Sequence, residues 1–292
     1  KVGLFNIGAA GQYTLGAFGA LYCAIVLQWP WYLCLLAAML FGAIWGALPG
    51  IFKAYLNINE VITAIMFNWI GLYMVNDIMY GKGKSPMYDL ASTKTYSLRK
   101  AAPQAMIPSL GMSELFGKLQ SVTIAIFIAI FFAIVVYIIL NKTAFGYELR
   151  ACGFNKNAAR YAGINEKRNI ILAMMISGAL AGVGAGLYYL STVAEWNPQV
   201  STALPAMGFN GISTALLACS NPIGTIFSSL FISYITVGGT KLSTQYYTKE
   251  IADVITALII YLCAFSLLFK NKIRALLVGK AKRVSVGKGG DD

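Results

Sequence analysis

Two asparagines set in apolar sequence and flanked by glycine are the residues best placed to do chemistry: Phe5-Asn6-Ile7-Gly8 and Gly208-Phe209-Asn210-Gly211. Each precedes a run of small residues, Gly11 to Ala20 and Ile212 to Ala218. An amide taken out of water without a hydrogen-bond partner costs about 2–7 kcal/mol, and a neighbouring glycine leaves the backbone free to bend. Both motifs are therefore predicted to be helix breaks that turn polar groups toward a central cavity. Their likeness points to an internal repeat of two halves. Gln12 and the pair Asn68-Trp69 extend the set, although Asn68 has an equally simple reading as a bridge between helices. Asn6, Gln12, Asn68, Trp69, Phe209 and Asn210 are the candidates for contact with a neutral solute: amides for hydroxyls or ring nitrogens, aromatic faces for stacking.

Reaction chemistry has no comparable support. The chain has no histidine, and Cys23, Cys34, Cys152, Cys219 and Cys263 are scattered without a CxxC pair, so zinc, disulfides and imidazole acid-base work all lose support. Gly83-Lys84-Ser85 resembles the end of a phosphate loop, but Ile78 stands where its first glycine is needed. Asp77 and Asp253 lie near the ends of apolar runs, a poor arrangement for a proton relay. Glu195-Trp196-Asn197-Pro198 reads either as the cap of a solute path or as an interfacial turn.

These residues sit in a chain built for lipid. Hydrophobic residues make up 58% and charged residues 12%, with a mean hydropathy of +0.66, far from the composition of a soluble domain. Apolar segments run from Phe5 to Leu27, Tyr32 to Phe52, Val61 to Met79, Val122 to Leu140, Ile170 to Leu190, Met207 to Ala218, Pro222 to Val237 and Ile251 to Phe269. Most can cross a hydrocarbon core of about 30 Å at about 1.5 Å per residue. Met207 to Ala218 is too short, and Asn221-Pro222-Ile223-Gly224 stops it, so it is predicted to be a short or broken helix. The expected fold is all-α: a polytopic transmembrane helical bundle with broken and short helices over residues 1–272, followed by a basic, disordered tail over 273–292. Gly42, Gly46 and Gly50 on one span, and Gly178, Gly182 and Gly186 on another, each make a smooth face for close helix packing or for sliding.

Between Asn141 and Asn169 the chain turns polar and rich in helix formers such as Glu148, Leu149, Arg150, Ala158 and Arg160, predicting short amphipathic helices at the membrane face. Placing the basic tail (Lys270, Lys272, Arg274, Lys280, Lys282, Arg283, Lys288) in the cytoplasm puts this loop there too. The segment from Gly81 to Gln120 then lies outside despite Lys82, Lys84, Lys94, Arg99, Lys100 and Lys118. Trp29, Trp31 and Tyr32 mark one interface and Tyr246 and Tyr247 another. The net charge of +12 is topological on this reading, and no soluble basic face suggests nucleic acid. Residue 1 is a lysine with no initiator methionine or signal peptide, so a natural N-terminus is expected to lie upstream.

Four motifs in order resemble the permease subunits of bacterial ABC importers for nucleosides and simple sugars: Phe5 to Gln12, Lys53 to Trp69, Gly146 to Gly163, and Gly208 to Gly211 with Asn221 to Gly224. Within that group the chain is most similar to the larger permease of nucleoside systems that use a lipoprotein receptor. The resemblance implies a multi-pass protein of the bacterial cytoplasmic membrane with a cytoplasmic C-terminus, and one or two spans before Lys1. It implies a second, different permease, a cytosolic ABC ATPase that holds the ATP and magnesium, and an extracytoplasmic binding lipoprotein, with no cofactor or metal on this chain. The family's cytosolic coupling motif falls on Gly146, Glu148, Leu149, Arg150, Gly153, Asn155, Ala158, Ala159, Tyr161, Ala162 and Gly163, beside Arg160. Ala10 stands where the family usually has an acid, and Cys219-Ser220 replaces a more polar pair. The small-residue stripes and broken helices are expected to face the second permease. A simple-sugar permease is the nearest alternative; a lone secondary transporter or channel would lack a reason for the docking loop, and a membrane enzyme would lack its nucleophile.

Overall fold

The structure is a computed structural model of the chain. It describes residues 2–80, 86–89, 94–111, 114, 122–196, 204–240, 251, 254, 255, 257–259, 261 and 262. The expectations for the tail 273–292 and for Tyr246 and Tyr247 fall outside these residues. The chain forms two compact units, residues 1–212 and 213–292.

In the first unit, α1 (Ala9–Ile25) is a central helix: from Ala10 to Ile25 only Tyr22 is exposed. Its small residues allow that position, because neighbouring helices can approach its backbone on several sides. α2 (Trp31–Leu56), α3 (Glu60–Tyr80) and α8 (Glu166–Leu190) pack around it. The two glycine stripes meet each other. A Cβ at Gly46 would lie 2.6 Å from the Met174 carbonyl oxygen and 3.0 Å from the Gly178 Cα, and Gly42 and Gly182 are equally close to the opposing backbone. The stripes are therefore consumed by α2–α8 packing inside this chain, which corrects the expectation that they face a second permease.

α2 ends at Asn57 in the left-handed conformation (φ 52°), and α3 begins after three residues with Lys53 Nζ 2.9 Å from Glu60 Oε2 across the turn. After α3 the chain builds a small cap at the end of the bundle where α2 begins. There Tyr88–Asp89 (β1) pairs antiparallel with Lys94–Thr95 (β2), followed by the single turn α4 (Leu98–Ala101) and a 3-10 turn at Pro103–Ala105. Met87, Leu98, Ala102, Ala105 and Ile107 bury themselves in the same apolar cluster as Ile25, Leu190 and Trp196. Backbone bonds from Thr95 to the Trp196 carbonyl (2.9 Å) and from Ile107 to the Leu190 carbonyl (3.1 Å) fix the cap.

α5 (Ala125–Lys142) is apolar all round and fully buries none of its residues, so its surface is left to lipid or to another subunit. α6 (Ala144–Phe154) and α7 (Lys156–Tyr161) form the polar loop before α8. α9 (Ala206–Leu217) begins in the first unit and ends in the second. The second unit continues through Cys219 and Ser220, both at positive φ (50° and 57°), into α10 (Pro222–Thr240). Asn221 Oδ1 accepts from the Ile223 and Gly224 amides, and Ser228 Oγ donates to the Thr214 carbonyl at 2.8 Å, so the predicted stop before Pro222 is a tight helical hairpin. Among the described residues, five helices (Trp31–Leu56, Glu60–Met79, Ala125–Lys142, Glu166–Leu190, Pro222–Gly239) are long and apolar enough to cross a membrane. The protein is a multi-pass, all-α membrane protein.

Candidate functional site

The first asparagine motif is a helix break. Residues 2–8 are not helical, and Asn6 folds back over the first turn of α1. Its Nδ2 donates to Gln12 Oε1 (2.8 Å) and Ser177 Oγ of α8 (2.7 Å), while its Oδ1 accepts from the Gly8 amide (3.0 Å) and Gln12 Nε2 (3.2 Å). Asn68 of α3 completes the junction. Its Oδ1 accepts from the Gly11 amide at 2.8 Å and its Nδ2 donates to the Ile7 carbonyl at 2.9 Å. The Gly11 amide is one of the first-turn N–H groups that a helix start leaves unpaired. Gly11 has to be glycine here, because a Cβ would stand 2.8 Å from the Asn68 Cα.

Gln12 and Asn68 are almost completely buried (0% and 1% exposed). The structure thus brings Asn6, Gln12 and Asn68 to one junction and satisfies them inside the chain, Asn6 and Gln12 on each other and Asn68 on the backbone around the start of α1, as burial of amides requires. Asn68 is a helix bridge in this arrangement. Trp69, beside it, is 37% exposed and stacks on Tyr73 with ring centroids 5.9 Å apart.

The second motif differs. Helix α9 starts at Ala206 and runs unbroken through Phe209 and Asn210, so no break occurs at Asn210, and the two motifs do not share a local conformation as an internal repeat would. The reason is packing: Gly208 lies against the first turn of α1, where its Cβ would be 2.5 Å from the Ala10 Cα. A glycine read as a hinge is a contact point instead. That contact carries Phe209, 38% exposed, and the half-buried Asn210 to the same end of α1 as Asn6 and Gln12. Sequence reasoning missed Ser177, whose signal was a lone hydroxyl next to Gly178 in an otherwise apolar span.

The polar loop is a second candidate site, built largely by capping. Thr143 Oγ1 accepts from the Gly146 amide (3.1 Å) to start α6, Asn155 Oδ1 accepts from Ala158 (3.1 Å) to start α7, and Asn165 Oδ1 accepts from Arg168 (3.0 Å) to start α8. Gly163, at φ +78°, ends α7 in the left-handed conformation, with the Ile164 amide bonded to the Ala159 carbonyl. A Cβ at Gly146 would overlap the Ile139 and Leu140 carbonyl oxygens at the end of α5. Glu148 accepts from Asn169 Nδ2 at 3.2 Å, tying α6 to the first turn of α8. Arg150 Nε donates to the Gly146 carbonyl at 3.4 Å, and the exposed Gly153 lies beside Gly3.

Leu149, Cys152 and Ala159 form the buried underside, together with Val2 and Ile170. The outer side carries Arg160 and two aromatics, Phe154 at 91% and Tyr161 at 94% exposure. Two large rings left in water on capped helices are what a protein-docking face presents. Phe154 was not anticipated; an aromatic between Gly153 and Asn155 in a polar loop was its only signal. Among the described residues no cluster of histidine, cysteine or carboxylate side chains could hold a metal.

Spanning helices, a polar helix break among them and an exposed helical loop at one end define a membrane permease. Residues 1–264 match the branched-chain amino acid transport system / permease component family, and the chain belongs to it. It is 33% identical to the nucleoside ABC transporter permease protein NupB of Lactococcus lactis over 99% of this chain and 79% of the relative. It is 32% identical to the guanosine ABC transporter permease protein NupP of Bacillus subtilis over 97% and 78%. A second Lactococcus lactis permease, the nucleoside ABC transporter permease protein NupC, is 27% identical over 81% and 75%. No solved structure matches the chain.

Proposed function

We propose that this chain is the membrane-spanning permease subunit of an ATP-driven importer that carries nucleosides across the bacterial cytoplasmic membrane. The observation that carries the importer reading is the capped helix pair at 144–161 with Phe154 and Tyr161 in water. A permease that worked alone would leave this face without a use, whereas an ABC ATPase on a separate chain would cover it and deliver the motion of ATP hydrolysis through α6 to Asn169 on α8. The solute class rests on likeness to permeases named for nucleosides and guanosine. Neutral amides and partly exposed rings at the α1 end suit such a solute: Asn6, Gln12 and Asn210 for its polar edges, Trp69 and Phe209 for its base.

A second, different permease is part of this proposal. Likeness to both NupB and NupC of one organism, at 33% and 27%, supports a system with two unequal permeases, and an extracytoplasmic lipoprotein would deliver the solute. The 144–161 loop and the C-terminus would then be cytoplasmic. Uptake of radiolabelled guanosine, uridine and ribose by cells with and without this chain tests the reading. Loss of guanosine or uridine uptake with ribose unaffected is expected; loss of ribose uptake alone would make the chain a sugar permease.

A further inference from the structure

The end of the bundle away from the 144–161 helices holds a recess that the helix break does not use. It measures about 360 Å³ and lies among Tyr96 of the cap, Tyr189 of α8 and Trp196, with Leu21 of α1 beneath and Arg99 and Glu195 at its rim. Its volume falls within the range of about 300–1,000 Å³ typical of small-ligand pockets. The walls differ in freedom: Trp196 is 8% exposed and held in the core, whereas Tyr96 is 43% exposed and free to close on a guest. At the rim, Arg99 donates to Thr192 Oγ1 at 3.3 Å, and Glu195 lies 3.8 Å from Lys94 Nζ. A donor and an acceptor of opposite charge beside aromatic faces suit a neutral, flat molecule with a mixed hydrogen-bonding edge better than an ion.

The recess also leads inward. Trp196 and Tyr189 have ring centroids 6.1 Å apart, and Tyr189 lies 6.2 Å from Tyr13, the residue after Gln12. The Tyr13 hydroxyl is buried beside that of Tyr189. We propose that this recess is a waiting site for a planar, neutral heteroaromatic solute. It is a nucleoside on the functional reading above, on which this inference rests. The base stacks against Tyr96 and Trp196 with its edge toward Arg99 and Glu195, and the file Trp196–Tyr189–Tyr13 marks its route toward the α1 break, where the Tyr13 hydroxyl offers a hydrogen bond.

Photolabelling of the assembled transporter in membranes with 8-azidoadenosine tests this directly. Label should enter the peptides carrying Tyr96 or Trp196, and excess guanosine, but not glucose, should protect them. Tyr96→Leu, at unchanged protein level in the membrane, should lower labelling at least ten-fold and raise the KM for guanosine uptake by about ten-fold, and Arg99→Gln should raise it by a smaller factor. Guanosine uptake with an unchanged KM in both variants, or label confined to other segments, would overturn the waiting site while leaving the importer reading intact. Protection by glucose equal to that by guanosine would overturn its chemistry. Absence of both nucleoside uptake and label would overturn the waiting site and the nucleoside reading together.

Discussion

Asn6, Gln12 and Asn68 at the α1 break find their hydrogen-bond partners inside the chain, whereas Phe154 and Tyr161 on the 144–161 helices stand almost fully in water. The two regions solve opposite problems. Amides inside an apolar bundle cannot be left open, so each finds its partners within the chain. Aromatics held in water forgo the gain of burial, so the face is poised for a partner that would cover it. On the proposed function the closed cluster is a lock and the loop a handle, and the Glu148–Asn169 bond ties the loop to α8, which also carries Ser177.

The sharpest way to break this contrast is at the handle. Phe154→Asp with Tyr161→Asp should weaken ATPase binding by about 4 kcal/mol, roughly a thousand-fold at about 2 kcal/mol for each buried aromatic anchor, with thermal stability of the isolated chain unchanged. Co-purification at graded ATPase concentrations measures it. At the lock the signs reverse. Asn68→Leu leaves the Gly11 amide and the Ile7 carbonyl without partners and should destabilise the chain by about 3 kcal/mol, read as a fall in melting temperature in detergent.

Gly146→Ala is a smaller test, because it strikes the joint between α5 and the handle. Overlap with the Ile139 and Leu140 carbonyl oxygens should cost about 2 kcal/mol. Melting and ATPase binding should fall together, unlike the aspartate pair. Smallest is the coupling between Asn6 and Gln12. A double-mutant cycle to alanine should return about 1 kcal/mol of non-additivity, because either single change already breaks both amide-amide bonds.

Much of this fold was legible because lipid demands it. The expected runs at 32–52, 61–79, 122–140 and 170–190 became α2, α3, α5 and α8 with ends shifted by a few residues, since continuous apolar length is a strong signal. The helices of the loop were readable from their helix formers, whereas Asn155 and Gly163, which cap them, entered only as positions of the family motif. What stayed hidden depends on which neighbour a residue meets. Gly208 looks like Gly8 in sequence, yet only the position of Ala10 makes it a packing contact within α9. The glycine stripes announced a close helix partner without naming it, and the partner proved to be the other stripe. The cap formed by residues 86–89 and 94–111 reads in the sequence only as a charged outer segment, because its buried residues, Met87, Leu98, Ala105 and Ile107, are too sparse to mark a folded element.

Accumulation of radiolabelled guanosine in proteoliposomes containing this chain, a companion permease and the ATPase tests the central claim most directly. The account predicts transport that requires ATP hydrolysis on the side of the 144–161 helices, and that Phe154→Asp with Tyr161→Asp abolishes it while the chain stays folded in the membrane. Accumulation driven by an ion gradient without ATP, or left unchanged by the two aspartates, would contradict it.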